Sequence, residues 1–144
     1  MIFDWVLINE LAIGTAPREK EDVLFLKDKG IKGVLSLCSE QEVKPPSELK
    51  DNFICQRFIL PDHKYPNLPS VEEIKNAIKI LSKIMEIGPI YIHCVAAIER
   101  SPLVCMAWLI VKKKLTYNQA YNYLVDVHPT TNPLPEQLLL LQNL

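Results

Sequence analysis

Cys94 and Arg100 stand with five residues between them, in the run His93-Cys94-Val95-Ala96-Ala97-Ile98-Glu99-Arg100-Ser101. A cysteine acts as a nucleophile in its thiolate form, which neighbouring cations and backbone N–H groups favour. Arginine offers a planar fork of donors that matches the oxygens of a phosphate. A short apolar run, Pro89 to Ile92, leads into the segment, and Ser101-Pro102 and a further apolar stretch follow it. That order predicts a strand, a tight loop and a helix start. Such a loop can turn the amides of Val95, Ala96, Ala97, Ile98 and Glu99 toward one anion, with added positive potential from the helix N-terminus. The chemistry expected is attack on phosphorus by a thiolate held in a phosphate cradle, through a cysteinyl-phosphate. The competing reading of Cys94 is a buried, inert thiol, since free cysteine is among the most buried residue types.

On these residues the chain resembles the cysteine-dependent protein tyrosine phosphatases, and among them the small dual-specificity branch. Its signature is His-Cys, five residues, Arg, then Ser or Thr; His93, Cys94, Arg100 and Ser101 match it. Leu11 to Ala16 looks like the family's opening strand and turn, Gly30 to Leu37 like the strand after its first helix, and His128 to Pro135 like its final loop. The resemblance implies that Arg100 binds the equatorial phosphate oxygens, that Ser101 assists departure of the sulfur, and that His93 orders the loop. It also implies an aspartate proton donor on a loop upstream of the cysteine. Asp62, 32 residues before Cys94 and after a predicted strand, is the candidate, against an ordinary turn aspartate. His63 and Tyr65 beside it are weaker candidates for proton donor and ring-stacking residue. The family's loop usually carries glycine at the third and fifth positions after cysteine, where this chain has Ala97 and Glu99. Alanine enters the left-handed region at some cost, and Glu99 sets a carboxylate beside a site for dianions. Some lipid-phosphatase relatives pair the nucleophile with a cysteine after a similar strand end. Cys38 has a comparable place and is a possible redox partner; its other reading is a small buried hydrophobe.

The elements that must position these groups follow from pattern. Short strands are expected at Trp5 to Ile8, Leu11 to Ile13, Val34 to Leu37, Phe53 to Leu60 and Ile90 to Ile92. Helices are expected over Glu19 to Lys29, Ser70 to Ile87, Pro102 to about Lys113, Thr116 to Val125, and Pro135 to Leu144. Ser70 with Glu73, and Thr116 with Gln119, form capping-box patterns. Ser101 reads as an N-cap with Pro102 at the first helical position. Alternation of strands and helices predicts an α/β fold: a central, mostly parallel sheet of four to five strands flanked by helices, in a single domain over 1–144. His128 reads as a surface residue, and Asn132 either as loop support or as turn chemistry.

Composition narrows the function classes. A net charge of −1 gives no general attraction to nucleic acid or to an anionic membrane. The longest apolar run, Leu103 to Val111, is too short to span a bilayer. The four cysteines lack metal-binding spacing, so neither a metal nor a cofactor is expected. No secretory leader is visible, which favours a cytoplasmic protein with free thiols. The expected activity is phosphomonoester hydrolysis on phosphotyrosine, and on phosphoserine or phosphothreonine, in a protein or peptide. The alternatives are a phospholipid or phosphoglucan phosphatase, or a phosphate-binding interaction module with weak turnover.

Overall fold

The computed structural model describes residues 1–62 and 68–144. His63 and Tyr65 lie outside them. Five strands form one sheet in the order β1-β2-β5-β3-β4, with β1 Phe3–Leu7, β2 Leu11–Gly14, β3 Gly33–Ser36, β4 Ile54–Arg57 and β5 Ile90–His93. Only β1 runs antiparallel. The inner strands β2, β3 and β5 are buried along their whole length, because helices cover both faces.

Alternation along each strand sorts the core into two layers. Ala12, Val34 and Tyr91 face one way, onto Val23 and Leu26 of α1 (Lys20–Asp28) and Leu49 of α2 (Leu49–Asn52). Ile13, Leu35 and Ile92 face the other way. There they meet α3 (Val71–Ile84), α4 (Arg100–Lys112), α5 (Tyr117–Val127) and the chain beyond α6 (Pro135–Leu139). α3 begins as its sequence predicts: Ser70 Oγ accepts from the Glu73 N–H while Glu73 accepts from the Ser70 N–H. α5 repeats that box with Thr116 and Gln119. α4 is buried from Arg100 through Leu109, as a central helix should be.

Several boundaries differ from expectation. β4 stops at Arg57, because the chain then leaves the sheet toward Leu60, whose N–H bonds Leu37 O. The terminal helix is α6 followed by a 3-10 turn, Leu140–Asn143. α2 lacks any apolar periodicity, being one turn long. Ser101 is not the N-cap of α4. Glu99 takes that position, so Ser101 lies inside the first turn and is fully buried. Pro102 fits there because the amides of a first turn have no partner within the helix.

Gly14 sits closer against its surroundings than Gly33, the sheet's other glycine. A Cβ at Gly14 would lie 2.0 Å from Ile2 O and 2.3 Å from Tyr91 Oη. Tyr91 Oη donates to Thr15 O at 2.6 Å, so the first strand, the β2 turn and β5 meet around this glycine. Gly14→Ala should force backbone apart and destabilise by about 1–3 kcal/mol. Urea unfolding measures this, and an unchanged midpoint would contradict the packing described.

Candidate functional site

The ends of β2, β3 and β5 open on the same edge of the sheet, since Gly14 and Ser36 both pair with His93. Ligand sites in parallel sheets collect at this edge. The loop from Cys94 to Glu99 lies there, and its carbonyls are tied down one after another. His93 Nδ1 meets Cys94 O at 2.8 Å, and the Ala16 N–H donates to Val95 O at 3.1 Å. His128 Nε2 meets Ala97 O at 2.7 Å, with Thr130 Oγ1 donating to the same oxygen at 3.2 Å. The Asn132 N–H donates to Ile98 O at 2.8 Å. Among the described residues, the amides of Val95 to Ile98 donate to no protein acceptor. Carbonyls pinned outward leave those amides for an anion.

Ala97 sits at φ +60° and is fully buried, so the alanine does occupy the left-handed region where glycine is usual. The clamp on its carbonyl explains how. His128, expected at the surface, is buried, and its Nδ1 meets Asp4 Oδ2 at 2.7 Å. Both ring nitrogens therefore face oxygens, and the ring bridges β1 to the loop. Asn132 supports the loop through its backbone N–H; among the described residues its side chain makes no hydrogen bond to the loop.

Cys94 is buried, and its Sγ lies 3.3 Å from Ser101 Oγ. Arg100 is buried as well, and Glu42 holds its fork: Nη2 donates to Oε1 at 2.8 Å and Nη1 to Oε2 at 3.2 Å. Nη1 also donates to Leu60 O at 3.2 Å. Burial opposes the Arg100 charge, but Glu42, Cys94 and Asp62 outweigh it and raise its pKa. Burial likewise works against the Glu42 carboxylate, yet Arg100 and the Ser39 N–H hold its pKa below the ordinary value. Sequence reading missed Glu42. The available signal was Ser39-x-x-Glu42, whose reciprocal bonds form in a turn after β3. Asp62 is half-buried and lines a cleft of about 380 Å³ with Glu42, Leu60 and Pro61. Glu99 is half-buried at the helix start.

His93 is enclosed between two partners. Its Nε2 lies 2.7 Å from Ser36 Oγ, and Nδ1 donates to Cys94 O, so the neutral ring with hydrogen on Nδ1 satisfies both. Burial drives its pKa down to about 4, helped by the charges of Arg57 and Arg100 and opposed by the bond to Cys94 O. Cys38 is buried and unbridged, its Sγ 4.0 Å from His93 Nδ1. Burial raises its thiol pKa; the charges of Glu42 and Cys94 raise it further, while Arg100 and Arg57 pull it down. Among the described residues no cluster of His, Cys, Asp or Glu is arranged to hold a metal.

Residues 12–143 match the family model described as dual specificity phosphatase, catalytic domain. The chain belongs to that family. It is 31% identical over 135 residues to phosphatidylglycerophosphate phosphatase PTPMT2 of Arabidopsis thaliana, covering 92% of this chain and 59% of that one. It is 28% identical over 126 residues to phosphatidylglycerophosphate phosphatase PTPMT1 of the same plant, covering 87% and 37%. The chain thus spans less than two thirds of the length of these relatives. Its fold is similar to Tk-PTP in the active form, with a TM-score of 0.83 at 22% identity over 98% of this chain and 94% of that one. It is also similar to PTPMT1 in complex with PI(5)P, with a TM-score of 0.82 at 18% identity over 98% and 92%.

The buried His93 makes stability depend on pH. Unfolded histidine takes up a proton near pH 6.5, whereas folded His93 stays neutral down to about 4. Its contribution is whole above about pH 6.5 and is lost as pH falls toward 4, about 3 kcal/mol in all. Urea unfolding of the wild type and of His93→Asn across this range should give curves that converge on acidification. Parallel curves would contradict a neutral buried ring.

Proposed function

We propose that the chain hydrolyses phosphomonoesters through a cysteinyl-phosphate on Cys94. The observation that carries this reading is the loop whose carbonyls are held outward while the amides of Val95 to Ile98 stay unspent beside Cys94 and Arg100. The phosphate seats on those amides, on that of Glu99 and on the Arg100 fork. The Cys94 thiolate attacks phosphorus in line, the bond to the leaving oxygen breaks, and Asp62 gives that oxygen a proton. Asp62 then takes a proton from the attacking water. The P–S bond breaks, and the Ser101 hydroxyl donates to the departing sulfur. His93 positions the loop without exchanging protons. No metal enters the scheme.

For the substrate, we favour a monophosphate on a phospholipid headgroup. Two of the similar curated proteins are phosphatidylglycerophosphate phosphatases. Exposed Ile59 and Leu68 bracket the Asp62 segment in sequence, and exposed Ile98 lies in the loop itself, so apolar side chains are available to acyl or glycerol groups. The loop holds no Lys or Arg between Cys94 and Arg100, and includes Glu99, so further phosphates on one headgroup gain nothing there. The second reading, a phosphopeptide, is supported by 31% identity over 112 residues to dual specificity protein phosphatase PHS1 of Arabidopsis thaliana.

Cys94→Ser should abolish turnover on every substrate while leaving the fold intact. Asp62→Asn should slow esters with poor leaving groups far more than activated aryl phosphates, since a good leaving group departs without a proton. Equal losses on both would remove Asp62 as the acid. Across phosphatidylglycerophosphate micelles, a phosphotyrosyl peptide and bisphosphorylated inositol lipid, kcat/KM should fall in that order. A peptide in first place would replace the lipid reading, and an inositol lipid in first place would overturn both.

Cys38 completes the proposal as a redox partner. Peroxide converts the Cys94 thiolate to a sulfenic acid, and the Cys38 thiol condenses with it, forming an S–S bond and releasing water. Non-reducing peptide mapping after peroxide treatment should recover a Cys38–Cys94 crosslink that dithiol reverses. Cys94 oxidised irreversibly with Cys38 still free would remove the idea.

A further inference from the structure

At the β4 edge of the sheet lies a second cavity of about 410 Å³. Three cations line it: Lys44 in the loop after β3, Lys50 in α2 and Arg57 at the end of β4. Pro45, Pro46 and Leu49 form apolar wall, Ser36 and Ser47 add hydroxyls, and Glu40 is the one carboxylate. Arg57 is the decisive residue. It is half-buried, and one arm, Nη1, donates to Cys38 O. Among the described residues no carboxylate pairs with it, and none pairs with Lys44 or Lys50. The contrast with Arg100 is direct, since Glu42 neutralises that guanidinium. A half-buried guanidinium tethered at one arm is oriented and keeps most of its donors free, and planar forks of this kind suit phosphate oxygens.

We propose that this cavity is a second, non-catalytic anion site that takes a phosphate group, held by Arg57, Lys44 and Lys50. The phosphate comes either from a soluble phosphomonoester or from an acidic phospholipid headgroup; the recognition chemistry is the same. The site stands apart from the Cys94 cradle. Ser36 nevertheless links the two, because its Oγ bonds His93 Nε2 and His93 Nδ1 bonds Cys94 O.

Amide NMR titration of the full chain with inorganic phosphate tests the proposal, because the two sites report separately. Resonances of residues 95–100 and of Glu42 follow the cradle, and those of residues 44–57 follow the cavity. The expected result is a saturable shift in the second group with its own dissociation constant. Arg57→Gln should weaken it roughly tenfold, the scale of a charge-assisted hydrogen bond, and leave the cradle titration unchanged. Lys44→Gln with Lys50→Gln, both exposed, should weaken it as well and serves if Arg57→Gln disturbs the Cys38 turn. Sedimentation with phosphatidylcholine vesicles, with and without phosphatidic acid, separates the sources. Binding to the acidic vesicles that requires Arg57 assigns the headgroup; response to phosphate alone assigns the soluble ester. Absence of a saturable shift in residues 44–57, or an equal shift with chloride at matched ionic strength, would overturn the site. A chain that fails to hydrolyse any ester tested leaves this result standing.

Discussion

The site depends on the orientation of a few peptide groups. A peptide has a donor on one side and an acceptor on the other, so a loop presents amides to an anion only if its carbonyls are satisfied elsewhere. Here the satisfying groups come from four parts of the chain: His93 itself, Ala16 after β2, the His128-Thr130 turn after α5, and Asn132. The fold can be understood as the means of bringing them together. β2 must lie beside β5 for Ala16 to reach Val95, and α5 must end against β1 for His128 to meet both Asp4 and Ala97.

Arg100 is fixed by a comparable arrangement. A buried guanidinium without a partner is costly, whereas a bidentate carboxylate restores much of the lost solvation and sets the plane of the fork. Glu42 supplies that partner from the loop after β3, and Ser39 orients Glu42. The ion pair thus ties the loop after Cys94 to the neighbouring strand's loop, on the side where Leu60 O takes a further Arg100 bond and Asp62 follows. Asp62, Arg100 and Cys94 are held by adjacent loops of one sheet edge.

What the sequence made legible was local in origin. The spacing from Cys94 to Arg100, the capping boxes at Ser70 and Thr116, and the apolar runs of the inner strands all announce themselves within a few residues. What it concealed depends on distance. Glu42 meets Arg100 across 58 positions and Asp4 meets His128 across 124, and neither residue carries a local mark of its partner. A lone histidine before a proline gives no local sign of burial; β1 and the loop after Cys94 enclose His128 from afar. Ser101 misled for another reason. Its residue type and the following proline fit an N-cap, but the helix starts two residues earlier, which turns the hydroxyl toward Cys94 instead of toward the helix amides.

Ala97 shows how the loop's support bears on its composition. A left-handed alanine costs on the order of 1 kcal/mol more than glycine there. That cost persists only where the surroundings over-determine the conformation. At Ala97 they do: two hydrogen bonds converge on its carbonyl, the next carbonyl is held by Asn132, and the methyl group is fully enclosed. Glycine at this position would relieve the strain but would also widen the set of backbone states open to the loop when no anion fills it. An alanine clamped in this way gives up some stability and narrows that set. The amides of the loop are then oriented in advance of any anion, which is the condition under which fixed dipoles stabilise developing charge most effectively.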